Sequence, residues 1–357
     1  MPNAGEEVLR SGVRRSHQGV GGGVGRRGAP AGDEERVTVL VDDRYRGTHG
    51  IGRYAAEVLP RLALPWESLN LGGTPFSAVD AFRSVGAAAV PGALVYSPGY
   101  GALVRARKQL LTLHDLIQLS SPGLDRWKFA AYYSGPVRDV IRRTGVVLTV
   151  SETSARALRS WVRDDGVEIV NAGNGCSDAF RPRADALPQS DPYVLFVGNG
   201  RAHKNLDVVL DALASAPDLR LVAVVPEREI ADLEARATQR LVDARVRWVT
   251  GVDDERLADL YRGAAATVMP STLEGFGLPA LESVRCGTPV VHWAECESVA
   301  EIVGDRGHAV HSADDVQEWA HALTEAMSVQ RRVSPPEGYD WNRTAGIISE
   351  TITRLLD

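Results

Sequence analysis

Residues 267–292 read TVMPSTLEGFGLPALESVRCGTPVVH, and the fold turns on this stretch. The apolar run at 266–269 predicts a short buried strand, ended by Pro270 and Ser271. A turn carrying Gly275 and Gly277 follows. A helix is then predicted from Leu278, with Pro279 in its first turn, where a missing N–H leaves no hydrogen bond unmade. Cys286 and Gly287 close that helix, and residues 288–292 predict the next buried strand. Glycines just before a helix leave backbone N–H groups free and let an anion approach, so the turn is a candidate phosphate cradle. Two carboxylates bracket it, Glu274 before the turn and Glu282 within the helix, with seven residues between them. They could grip hydroxyls on either side of a bound diphosphate. Two glycines alone would describe no more than a strand-to-helix turn; the ordered set of Glu, GFG, LP, Glu and CGTPVV is far more specific.

That set, here EGFGLPALE, resembles the E-x7-E signature of the retaining GT-B glycosyltransferases of family 4. The other matches follow in order. GIGRY (50–54) is similar to the family's first glycine loop, and LTLHD (111–115) to its strand-to-His-Asp turn. LTVSETSA (148–155) resembles the end of its N-terminal domain, and FVGNGRAHKNL (196–206) its V-G-x5-K-N element. VTGVDDERLADLY (249–261) resembles the loop and helix around the nucleotide base, and ESVAEIVGDRG (297–307) follows the Glu pair. The implied fold class is α/β, GT-B, with two Rossmann-like doubly wound parallel-sheet domains facing a cleft.

Composition sets bounds of its own. A chain of 357 residues suggests two domains. At 44% hydrophobic and 24% charged it has the material for ample core, and its net charge of −6 argues against nucleic acid as a partner. Cys176, Cys286 and Cys296 lack C-x-x-C spacing, which fits a reducing compartment and supports no structural zinc. No apolar run reaches the ~18–20 residues of a membrane span, and the N-terminus has arginines without an apolar h-region. The expectation is a cytoplasmic enzyme, with weak contact at the inner membrane face left open.

Residues 1–35, with GVGGGVGRRG at their centre, cannot bury enough apolar area to offset chain entropy and predict a disordered tail. Order is expected from residue 36. Residues 37–41, then the glycine loop before AAEVLPRL, predict the strand–loop–helix that opens a doubly wound domain. Ala55 stands where a third glycine would complete G-x-G-x-x-G, so the dinucleotide fingerprint is not met. Residues 125–143 predict a helix broken near Gly135–Pro136, its Phe129, Tyr132, Tyr133, Val137 and Ile141 forming a core stripe beside a basic edge. Ser151 is a predicted helix cap, and residues 180–191, with Pro182, Pro188 and mixed charges, a linker. Strand–helix alternation then restarts: strands at 193–197, 219–225, 246–250, 266–269 and 289–292, helices between them, a helix at 313–327 and a last one at 341–356. The expected domains are 36–187, binding acceptor, and 188–335, binding the nucleotide sugar. Residues 336–357 would pack back on the first domain.

Arg201 and Lys204 lie where a strand gives way to a helix, close enough in sequence to neutralise one pyrophosphate, Arg as a fork and Lys as a point charge. Carried over residue by residue, the resemblance implies a catalytic set of His114, Arg201, Lys204 and Glu274. His114 would position donor-sugar hydroxyls, and Arg201 and Lys204 would stabilise the leaving diphosphate. Glu274, with the amides of Gly275, Phe276, Gly277 and Leu278, would hold sugar and diphosphate, and Glu282 the ribose. Gly50, Gly52, Gly198 and Gly251 would complete the donor contacts. No D-x-D occurs, so the resemblance implies no metal and no cofactor beyond the sugar nucleotide as co-substrate. Ala300-Glu301 stands where the family often has Pro-Glu, implying a less rigid loop. Acceptors open at this point are a saccharide, a lipid-linked glycan or a small molecule. The alternatives are a GT-B nucleotide-sugar epimerase and an inactive nucleotide- or glycan-binding relative.

Overall fold

A computed structural model describes residues 39–47, 50–73, 75, 81–82, 92–120, 126–183 and 191–357. The expected tail at 1–35, the start of the first strand at 37 and most of the predicted linker (184–190) lie outside the described residues.

The chain alternates short strands with helices, and the strands that are buried aliphatic runs need a parallel sheet covered on both faces. The first half runs β1 (Val39–Val41), α1 (Ile51–Val58), β2 (Glu67–Ser68), β3 (Leu94–Ser97), β4 (Gln109–Leu111) and α2 (Ile117–Ser120). It continues through α3 (Arg126–Tyr132), α4 (Arg138–Thr144), β5 (Val146–Thr149), α5 (Glu152–Val162) and β6 (Glu168–Asn171). Its strands are all parallel, in the order β2-β1-β3-β4, and a parallel bridge from Thr112 to Leu148 carries the order on to the pair β5-β6.

The second half runs β7 (Val194–Val197), α6 (Leu206–Ser215), β8 (Leu221–Val224), α7 (Ile230–Gln239), β9 (Val246–Val249) and α8 (Asp254–Gly263). Then come β10 (Ala266–Met269), α9 (Leu278–Arg285), β11 (Val290–Trp293), α10 (Glu297–Val303), β12 (Gly307–Val310), α11 (Val316–Val329) and α12 (Trp341–Leu356). Its six strands lie in the order β12-β11-β10-β7-β8-β9, again all parallel. That order reverses direction between β7 and β10. Loops leaving the carboxyl ends of those two strands therefore part to opposite sides and leave a crevice.

The predicted break at Gly135–Pro136 is not a break. Residues 133–137 form one π-helical turn between α3 and α4, so the helix runs on through the proline. A π turn widens the ring by one residue, which accommodates a residue that cannot donate its N–H. Of the predicted stripe, Tyr133, Val137 and Ile141 are fully buried. Neither α10 nor β12 was expected as an element. β12 is barely apolar, GHAV, and is a strand because it pairs with β11 along its whole length.

One core cluster runs through both halves, joining Val41, Tyr54 and Leu148 to Tyr261, Leu281 and Val299. The last helix belongs to it. Asp340 caps α12 by accepting from the amide of Asn342, and Ser349 Oγ accepts from the amide of Ala63 at 3.0 Å. Trp341 is packed against Gly175, where a Cβ would stand 2.4 Å from the Trp341 ring and amide. Gly175→Ala is therefore expected to lower stability by about 2–3 kcal/mol, through overpacking at a site with no room to give. Urea denaturation checks this, and a loss under about 0.5 kcal/mol would contradict the packing described.

Candidate active site

The crevice between β7 and β10 is floored by two loops, 198–205 from β7 and 270–277 from β10. They are tied together. The amide of Thr272 donates to the His203 carbonyl at 2.8 Å, and Lys204 Nζ meets Glu274 Oε1 at 2.5 Å. Both of those charged side chains are mostly buried, which makes the pair a fixed part of the loop geometry.

At the centre is the turn 274–278. Gly277, with φ of 102°, is in the left-handed region that favours glycine and starts α9 with no side-chain cap. The carbonyl of Gly275 accepts from Ser151 Oγ and from Ser154 Oγ, each at 3.0 Å, and the carbonyl of Glu274 accepts from Ser298 Oγ at 2.8 Å. A Cβ on Gly275 would stand 2.6 Å from the Asp115 carboxylate, so only glycine fits against this strand end of the first half. The amides of Gly275, Phe276, Gly277 and Leu278 donate to no acceptor among the described residues, although Gly275, Phe276 and Gly277 are buried. Buried N–H groups nearly always have a partner. Four in a row at a helix N-terminus call for an anion.

Glu282, one turn into α9, is also buried. Its carboxylate accepts from Tyr261 Oη at 2.9 Å and pairs with Arg53 at 3.1 Å. Arg53 comes from α1 in the first half, and its second terminal nitrogen meets Asp254 at 2.8 Å. Its guanidinium also stacks over Phe180, 5.4 Å from the ring centre. Burial pushes the Glu282 carboxyl up to about 7, against the pull of Arg53 and of the Tyr261 hydroxyl.

His114 is partly buried, two residues past the strand-end Thr112 that follows β4. Its Nε2 is 2.9 Å from the Pro98 carbonyl, and its ring meets Tyr54 edge-on at 4.7 Å. Burial lowers its pKa to about 4, so the imidazole is neutral at pH 7. Asp115 beside it is raised, by burial first, and feels both Glu274 and Lys204 across the crevice. The structure therefore brings together His114–Asp115, Lys204, Glu274 and the 275–278 amides.

Other expected residues stand apart. Arg201 is exposed, and its side chain makes no hydrogen bond or ion pair among the described residues. Gly251, also exposed, follows β9, the edge strand two places from the crevice. Gly198 donates its amide to Val224 and abuts the Phe196 ring. Gly50 holds φ of 58° at the start of α1. What comes close to Gly52 is the chain's own backbone at Arg46, 2.6 Å from a Cβ placed there. Ala300 and Glu301 lie inside α10, where a loop was expected. The Glu301 carboxylate caps α5 across the halves, accepting from the amides of Glu152 and Thr153 at 3.3 Å.

The sequence model described as glycosyl transferases group 1 matches residues 178–335, which contain the whole β7–β10 crevice. That match takes in most of the second half of the chain. Similar proteins include an O-antigen chain mannosyltransferase B of Escherichia coli, 27% identical over 64% of this chain and 64% of its own length. A D-inositol 3-phosphate glycosyltransferase of Catenulispora acidiphila is 31% identical over 59% of this chain and 56% of its own. The match thus spans less than two thirds of either relative. Among solved structures, WaaG, a glycosyltransferase involved in lipopolysaccharide biosynthesis, aligns over 88% of this chain and 95% of its own at TM-score 0.57 and 15% identity. Sucrose-phosphate synthase from Thermosynechococcus elongatus aligns over 74% and 69% at TM-score 0.57 and 23% identity. The fold is GT-B.

Within this crevice, sequence reasoning missed Arg53, Tyr261 and the two serines. Ser151 was read only as a cap, which it is, accepting from the amide of Ser154 at 3.0 Å. Arg53 sat in the quoted GIGRY string, but its partner Glu282 is 229 residues away. No local signal joins them.

The Glu282 environment has a consequence for stability. The carboxyl takes its proton near pH 7 when folded and near 4.5 when unfolded, so the folded state is favoured at low pH and this contribution is lost as pH rises through 7. Glu282→Gln should flatten the stability profile between those values and stabilise the protein near pH 8 by up to about 3 kcal/mol. Denaturation midpoints at both ends of the window check it. An unchanged pH slope would contradict the assignment.

Proposed function

We propose that this chain is a retaining glycosyltransferase that moves a hexose from a nucleoside-diphosphate sugar to a hydroxyl of a saccharide, lipid-linked or small-molecule acceptor. The observation that carries this is the run of four unpartnered amides at 275–278, ringed by Lys204 and Glu274 and backed by Glu282 one helical turn on. In this reading the diphosphate takes the amides as donors. Lys204, released from Glu274, neutralises the charge that grows on the leaving group as the glycosidic bond breaks. Arg201 is free to swing in as a second cation. Glu274, freed in the same exchange, holds hydroxyls of the donor sugar, and Glu282 exchanges Arg53 for the ribose hydroxyls.

Neutral His114 suits a hydrogen-bonding role toward the sugar better than a charged one. Retention follows by front-face attack within a short-lived ion pair, with no protein nucleophile, metal or cofactor in the scheme. Mannose from GDP-mannose is the preferred donor, supported by the mannosyltransferase relative and by the GIGRY and HD strings. The first sheet then serves the acceptor and the second the donor.

Two measurements test this. A melting panel with GDP, UDP and dTDP should show one nucleotide raising the melting temperature well above the others, because a ligand of the folded state stabilises it by mass action. Lys204→Ala should lower turnover on the matching donor by about 100-fold or more with a much smaller change in KM, as for loss of an electrostatic transition-state contact. Unchanged turnover would remove Lys204 from the mechanism.

A further inference from the structure

Where the chain leaves β6 it passes through NAGNGC, residues 171–176, a string the donor site does not use. A cavity of about 220 Å³ opens there, between the end of β6, Phe276 and the segment leading into α12. Two glycines of its wall, Gly173 and Gly338, hold φ of 74° and 87°. Just beside it Gly175 is pressed on Trp341.

Two polar side chains of this wall are almost out of solvent and yet unpaired. Asn174 is 5% exposed and Thr344 2%, and neither carboxamide nor hydroxyl makes a hydrogen bond among the described residues. Neither is sealed off, and the space both line is the cavity. Buried groups of this kind are destabilising unless something supplies them with partners. A carboxamide and a hydroxyl each donate and accept, which is what a neutral hydroxyl needs.

The remaining wall points the same way. The Glu301 carboxylate is already committed to α5, and Glu337 with Arg343 leaves two acids against one base, which disfavours an anion. Phe276 and Tyr339, edge-to-face at 5.9 Å, add an apolar side. Polar edges with an apolar face suit a sugar ring.

We propose that this cavity is a second saccharide site, taking one neutral, hydroxyl-rich ring of about hexose size. The ring hydroxyls are shared between Asn174 and Thr344, and its C–H face rests on the Phe276–Tyr339 side. The site shares only Phe276 with the donor turn; Lys204, Glu274, Glu282 and His114 are not in its wall. A ring there sits against both chain segments that cross between the sheets.

Ligand-observed NMR and calorimetry on the full chain test it, with methyl α-mannoside, methyl α-glucoside, myo-inositol and, as an anionic probe, inorganic phosphate. At least one of the three rings should bind saturably in the millimolar range. Asn174→Ala and the near-isosteric Thr344→Val should each weaken it at least about tenfold. The melting shift given by a nucleoside diphosphate should stay unchanged in both variants. Binding of a ring through Asn174 and Thr344 where no nucleotide shifts the melting point would uphold this site and sink the donor assignment. The proposal is overturned if no ring saturates, if phosphate alone binds, or if ring binding survives both substitutions.

Discussion

The paired hydroxyls on the Gly275 carbonyl set the geometry on which the crevice depends. A peptide plane carries its C=O and N–H on opposite sides. Ser151 and Ser154, both at the start of α5, hold that carbonyl toward the first half, and Ser298 holds the one before it. The turn is thereby kept from spending its own polar groups on itself, and its next amides are left without acceptors. Asp115, pressed against the missing Cβ of Gly275, fixes the depth of the contact. One short segment is thus shaped by both halves of the chain.

A second cross-connection is electrostatic. Arg53 spans from α1 to Glu282 and Asp254, and a guanidinium with two carboxylate partners in a mostly buried setting fixes orientation more than it adds stability. Lys204 with Glu274 repeats the device within the second half. Both pairs occupy groups to which the proposed chemistry assigns substrate hydroxyls and phosphate. Their exchange for ligand would keep each buried charge matched before and after binding.

Much of this was legible in the residues. The 266–292 segment predicted strand, turn and helix correctly because its signals are local: an apolar run, two glycines, a first-turn proline and a closing Cys-Gly. The last helix was equally clear. What escaped depends on partners far along the chain. β12 is a strand because β11 offers it a ladder, and Arg53 matters through a residue 229 positions away. The proline in the α3–α4 helix was read as a break because its missing N–H was counted without the π turn that absorbs it.

The account rests on the amides at 275–278 being an anion cradle, and hydrogen exchange reads them directly. With a saturating nucleoside diphosphate, exchange should slow most at 275–278 and across 198–205, while the β12 edge is little changed. Protection confined to other loops, or none with GDP, UDP or dTDP, would contradict it.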